Sequence, residues 1–117
     1  MKIWVDGSLA CTCVVLEDNT ILVDSLEHSN HKLTTNQAEY HAIIRGLGEA
    51  HKRRYNNVEI FSDSKLAVDQ LNNMVSCYDR NLYNLRSIVR QITTLFHEVR
   101  FTWIPREQNP AGLVLDG

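Results

Sequence analysis

Apolar and polar residues change period several times along the chain, and each change marks a new element. KIWVD, residues 2–6, reads as a short strand. ACTCVVLED and TILVDSLEH, residues 10–18 and 20–28, are two more, joined at Asp18-Asn19, a pair that favours a hairpin turn. In TTNQAEYHAIIRGLGEAHKR, residues 34–53, the period lengthens. Tyr40, Ile43, Ile44, Leu47 and Ala50 recur at the three- and four-residue spacing of one helix face. NVEIFS, residues 57–62, returns to a strand entered through Asn56-Asn57. SKLAVDQLNN predicts a shorter helix capped by Ser64, with Ala67, Leu71 and Met74 on one face. NLYNLRSIVRQITTLF, residues 81–96, carries the longest stripe: Leu82, Leu85, Val89, Ile92, Leu95 and Phe96. EVRFTWI alternates Val99, Phe101 and Trp103 with polar neighbours, as a strand does, and a last short helix opens at Asn109-Pro110. The predicted order is β-β-β-α-β-α-α-β-α. This is an α/β fold with a mixed five-stranded sheet flanked by helices, in one domain over residues 1–117.

Composition narrows the class. A hydrophobic fraction of 44% with 22% charged residues is ordinary for a soluble globular chain, and the length suffices for one core. No apolar run approaches the roughly 20 residues that span a bilayer. MKIWVDGS also lacks the apolar stretch of a secretory signal, so a cytoplasmic location is expected. Three cysteines without a CxxC pair argue against a disulfide framework or a zinc site. Cys11 and Cys13 share one face of a strand and read as small core residues. The net charge of −2 gives no support for binding by broad phosphate neutralisation, so any nucleic-acid function must come from a local site.

Three acids stand where such a site would form. Asp6 closes the first strand before Gly7-Ser8, Glu39 lies in the first turn of the long helix, and Asp63 closes the fourth strand. In α/β sheets ligands gather at the carboxyl ends of strands. Each acid also has a structural reading. Asp6 suits a turn, Asp63 suits an N-cap, and Glu39 follows Asn36 at the capping-box interval, as Gln37 follows Thr34. If the three converge, they repel one another strongly and require protons or a cation. Oxygen ligands of this kind suit magnesium or manganese, and two such ions roughly 4 Å apart clamp a phosphodiester and activate water.

Taken in order, WVDGS, TTNQAEYHAIIRGL, FSDSKLAVDQLNN, YDRNLYNLRSIV and FTWIPREQN resemble the ribonuclease H family, type 1, in its compact reverse-transcriptase-like form. The resemblance runs from Trp4 to about Asn109. It implies an endonuclease that cuts the RNA strand of RNA–DNA hybrids with two Mg²⁺ ions, Mn²⁺ able to substitute. It places Asp6, Glu39 and Asp63 on the family's metal-binding acids. Thr34, Thr35, Asn36 and Gln37 then contact the hybrid at the helix entrance, and Gly7 and Ser8 lie near the metals and the RNA 2′-hydroxyls. The expected partner is the hybrid alone, with no membrane, no obligate protein partner and a monomeric chain.

The chain departs from the family in several places. DGSLACTCVV lacks the glycine-rich turn between the first strands. No basic protrusion separates the middle helices, leaving Lys65, Arg80 and Arg86 for the phosphates. In place of a loop histidine, WIPREQN offers Arg106 and Glu107. The fourth acid is missing: after Asn109 come Pro110, Ala111 and Gly112 where Ala-Asp is expected. Asn109 is the candidate fourth ligand through its amide oxygen, with an N-cap before Pro110 as its structural alternative. Asp116 stands seven residues further on, about 10 Å along a helix. The competing functional reading is a weak or silent module that keeps the fold and binds nucleic acid or protein.

Overall fold

The computed structural model describes residues 1–26 and 33–117. Strands β1 (Lys2–Gly7), β2 (Cys11–Leu16) and β3 (Ile21–Ser25) form an antiparallel meander. The turn at Asp18-Asn19 closes as the sequence predicts. Asn19 takes φ 70°, its amide donates to Leu16 O, and the Asp18 carboxylate accepts from Thr20 N at 3.0 Å. The expected extension of the third strand to residue 28 lies partly outside the described residues; within them the strand ends at Ser25. Helix α1 (Thr35–Lys52) then leads to β4 (Asn57–Ser62), helices α2 (Lys65–Leu71) and α3 (Arg80–Thr93), β5 (Glu98–Trp103), a 3-10 turn (Arg106–Gln108) and helix α4 (Pro110–Asp116). The sheet order is β3-β2-β1-β4-β5, with β4 parallel to both β1 and β5.

The alternation along β1 divides the molecule into layers. Ile3 and Val5 face the main core, where Tyr40, Ile43, Leu47 and Ala50 of α1 meet Leu82 and Val89 of α3. Trp4 faces the other way, stacking on Phe61 at 5.4 Å and packing with Cys13, Val15 and Ala111 beneath α4. Gly46 lets α1 approach this sheet closely, because a Cβ there would lie 2.9 Å from Val5 Cγ1. Two predicted stripes run past the helices that carry them. Helix α2 ends at Leu71 and Asn73 turns to φ 61°, which leaves Met74 73% exposed. Helix α3 ends at Thr93, so Leu95 is exposed while Phe96 still reaches the core.

Helix α1 begins one residue after Thr34, and the two capping boxes open to the sequence resolve in favour of the earlier. Thr34 Oγ1 accepts from Gln37 N at 3.1 Å, and Gln37 Oε1 accepts from Thr34 N at 2.9 Å. Such a cap contributes about 1 kcal/mol. Its register corrects the expectation that Glu39 lies in the first turn: no acid does, and Glu39 sits in the second. Glu39 is therefore released from capping.

Candidate metal centre

Parallel pairing brings the first two acids together. Trp4 is opposite Phe61 across β1 and β4, so Asp6 and Asp63, each two residues further on, leave adjacent strands side by side on one face. Helix α1 supplies Glu39 from above. The approach is very close, since a Cβ on Gly7 would stand 2.1 Å from Ala38 O. Glycine at position 7 is what permits the end of β1 to run against the backbone of α1. One carboxylate oxygen from each of Asp6, Glu39 and Asp63 then lies within 4.8 Å of the others. Asp6 and Glu39 are buried, at 1% and 6% exposure.

The electrostatics of this arrangement are unfavourable in a chain without a cation. Burial pushes the Glu39 carboxyl up to about 9, with the charges of Asp6 and Asp63 adding to the effect. Asp6 is raised as well, first by burial and then by Asp63, against relief from Glu39 and Arg106. Glu39 Oε2 is buried and has no hydrogen-bond partner. An orphaned carboxylate oxygen costs about 1–3 kcal/mol or more, which a cation at the cluster removes. The donor set is all oxygen and anionic, the chemistry of a hard divalent ion. These residues fit such a metal.

The other expected site residues lie at the start of α1 and in the turn that follows β1. Thr35 and Asn36 are exposed at the start of α1, beside the capping pair Thr34 and Gln37. Ser8 is engaged in its own turn, its Oγ accepting from Cys11 N and donating to Cys11 O, both at 3.1 Å. Asp63 does not cap α2, because Ser64 does, accepting from Ala67 N at 3.2 Å. Trp103 braces the same corner: its Nε1 donates to Asp63 O at 3.1 Å, and the Lys65 ammonium sits 5.8 Å from its ring centre.

Asn109 is fully buried and takes the capping alternative. Its Oδ1 accepts from Ala111 N at 3.1 Å, and its Nδ2 donates to Val5 O and Asp63 Oδ2, both at 3.0 Å. Its amide oxygen is committed to the helix cap, and it presents its donors to the site. Asp116 stands apart from the three acids and pairs with Arg106 Nη2 at 2.7 Å. The position facing the cluster from α4 is Gly112, where a Cβ would lie 3.3 Å from Asp63 Oδ2.

Arg106 is the residue whose place the sequence did not disclose. Its Nη1 lies 3.1 Å from both carboxylate oxygens of Asp6 and 3.1 Å from Asp63 Oδ2. The bond to Asp116, with the charges of Asp6 and Asp63, holds the guanidinium firmly protonated. Arg106 is separated from Asp6 by 100 residues, beyond the reach of any local spacing rule. Its sequence signal is its position in WIPREQN, where the resemblance sets a loop histidine, and that signal does not pair it with Asp6.

The reverse transcriptase-like family model matches residues 5–112. A ribonuclease HI of Halobacterium salinarum is 33% identical over 78 residues, covering 67% of this chain and 39% of that protein. The chain spans 25% of the length of the Mycobacterium tuberculosis bifunctional protein that it matches at 28% identity over 93 residues. Among solved structures, the RNase H1 of the halophilic archaeon Halobacterium salinarum superimposes with TM-score 0.81 and 26% identity, over 97% of this chain and 92% of that one. LC11-RNase H1 in complex with an RNA/DNA hybrid matches in fold with TM-score 0.77 and 22% identity, over 93% and 88%. The match of the family model over nearly all of the chain, together with the superposition on RNase H1, means that this protein belongs to the reverse transcriptase-like family of the ribonuclease H fold.

Proposed function

We propose that the chain is an endoribonuclease that hydrolyses the RNA strand of RNA–DNA hybrids, with Asp6, Glu39 and Asp63 holding two divalent ions. The observation that carries this reading is the buried, partnerless Glu39 Oε2 within a cluster of converging carboxylates. A structural role does not explain it, since the cap of α1 is already complete without Glu39. The family is divalent-metal dependent, and the ion is Mg²⁺ on this reading, with Mn²⁺ able to substitute.

When bound, the ions supply the activation of water and the stabilisation of the leaving oxygen. The chain's own residues prepare the place for this chemistry. Asp6 and Asp63 are fixed by their parallel strands, and Asn109 holds Asp63 by donating to it while tying α4 to Val5 O. Asn109 is thus a positioning residue, and the carboxylates carry the metal. Thr34, Thr35, Asn36 and Gln37 offer hydroxyl and amide groups to the hybrid, with Gly7 and Ser8 beside them at the end of β1. Contacts of that kind to 2′-hydroxyls distinguish RNA from DNA. The chain acts as one domain and as a monomer in the cytoplasm on this reading, and none of its described helices is long and apolar enough to cross a membrane.

The second reading, a silent module that binds without cutting, draws on Gly112 standing where a fourth acid would project. One assay separates the two. Labelled RNA–DNA hybrid is incubated with the wild type and with Asp63→Asn, in Mg²⁺ and then in Mn²⁺. Cleavage of the RNA strand by the wild type and its loss in Asp63→Asn are expected. Equal cleavage by the two proteins refutes the catalytic assignment, and no cleavage by either supports the silent module.

A further inference from the structure

We propose that Arg106, latched by Asp116, is a built-in counter-ion that competes with the divalent metal for Asp6 and Asp63. The inference rests on the reading of the three acids as a metal centre and adds a residue that governs its occupancy.

Three observations lead to it. First, Arg106 Nη1 meets three carboxylate oxygens at 3.1 Å, two on Asp6 and one on Asp63. That nitrogen carries only two hydrogens, so the contacts are shared and largely coulombic. A compact divalent ion offers the same oxygens twice the charge. Second, the chain has made room for the guanidinium. A Cβ on Gly112 would stand 3.2 Å from Arg106 Nη1 and 3.3 Å from its Cζ, tighter than side chains normally pack. The bare Cα of Gly112 is the surface on which the guanidinium lies. Third, the outer nitrogen is held from the solvent side, Nη2 to Asp116 at 2.7 Å, by a carboxylate that is itself 56% exposed. The Arg106 side chain is 45% exposed and has open solvent to swing into.

The two cations cannot share these oxygens without repulsion. In the metal-free chain Arg106 offsets part of the charge of the acids and lets the fold close. When metal enters, the guanidinium gives up Asp6 and Asp63 and swings into the open solvent at the rim. The Asp116 latch sets how readily this happens, because it fixes the arginine in its inward position.

Mn²⁺ binding to the full chain, followed by isothermal calorimetry at neutral pH, tests the idea in the wild type, Arg106→Ala, Asp116→Asn and Glu39→Gln. Arg106→Ala is expected to bind Mn²⁺ about tenfold more tightly or better, since a like charge at contact distance is removed. Asp116→Asn is expected to tighten binding by a smaller factor, and its exposed position leaves folding intact. Glu39→Gln is expected to weaken binding. A second readout is thermal stability. Arg106→Ala should melt lower than the wild type in chelator and recover when Mn²⁺ is added. A gain in affinity is something general damage to the fold does not produce. Unchanged or weaker Mn²⁺ binding in both Arg106→Ala and Asp116→Asn overturns the counter-ion role while leaving the metal centre standing. Absence of Mn²⁺ binding in all four proteins overturns the metal centre and this inference together.

Discussion

Replacing Glu39 by Gln in the metal-free protein should make it more stable, and the gain should grow with pH. Burial and the neighbouring acids push the Glu39 carboxyl up to about 9 from its ordinary 4.5. Between those values the folded chain keeps a proton that the unfolded chain has released. Stability is therefore greatest below the unfolded pKa and falls as pH rises toward the folded one, at about 1.4 kcal/mol per pH unit for one proton. From about pH 5.5 to about pH 8 the wild type should lose roughly 3 kcal/mol relative to a protein without this group. Glutamine imitates the protonated acid, since its amide can donate to Asp6 as the carboxyl proton does. Asp6 titrates with Glu39 as a pair, so the proton belongs to both. Urea unfolding in chelator at both pH values, wild type beside Glu39→Gln, reads the effect. The two proteins should be close at the lower pH and separate by roughly 2–3 kcal/mol at the higher. Added Mn²⁺ should reverse the order by stabilising only the wild type strongly. A difference between the two proteins that does not change with pH refutes the placement of Glu39 in a repulsive, buried cluster.

Other substitutions test the frame around the site. Gly46→Val forces a side chain into the 2.9 Å gap beside Val5 and should cost about 1–3 kcal/mol, whereas Gly48→Ala meets nothing within 4 Å and should gain about 0.5–1 kcal/mol. Urea midpoints for the pair check how closely α1 approaches β1, and equal midpoints refute it. Tyr40→Phe removes the 2.8 Å bond to Gln70 and strands a buried acceptor, which should lower unfolding stability by about 1–3 kcal/mol. Asn109→Ala loses the α4 cap and the donors to Val5 and Asp63, and should cost about 2–3 kcal/mol already in chelator, before any metal is added. A loss that appears only in Mn²⁺ makes Asn109 a ligand after all.

The fold was legible because its elements announce themselves locally. Asn19 in the hairpin, the Tyr40–Ala50 stripe and the cap at Ser64 each follow from near neighbours in the chain. The stripes misled only past helix ends. Met74 and Leu95 keep the helical period after the backbone has left the helix, so pattern alone assigned them to a core that they do not reach. The site was less legible, for two physical reasons. Two overlapping capping boxes were available around Thr34 and Asn36, and only the helix start decides which one forms and so whether Glu39 is free. Arg106 meets Asp6 across 100 residues of sequence, a contact created by parallel strand pairing and the return of the tail over the sheet. The missing acid at Gly112 was visible as an absence, but the room it leaves for a guanidinium was not.

On the proposed function, the charges of the chain set the order in which its ligands bind. A net charge of −2 and a buried triad of carboxylates repel a phosphate backbone from the metal-free centre. Among the described residues the cations near the centre are few: Lys65 leans on Trp103 and pairs with Asp69 at 3.4 Å, and Arg106 is turned inward toward the acids. Arg86 on α3 lies over the Tyr83 ring instead of reaching outward. On the proposed function, divalent ions reverse the sign of the field at the centre, so the same event that relieves Glu39 creates the attraction for phosphate. Displacing Arg106 adds to that reversal, because its guanidinium moves from neutralising the acids to the rim that the phosphates approach. Metal and hybrid then favour each other by one common factor, as linkage requires of two ligands that prefer the same state. A fold with little basic surface can in this way hold a polyanion, with its affinity drawn from the metal centre more than from the protein's own charge.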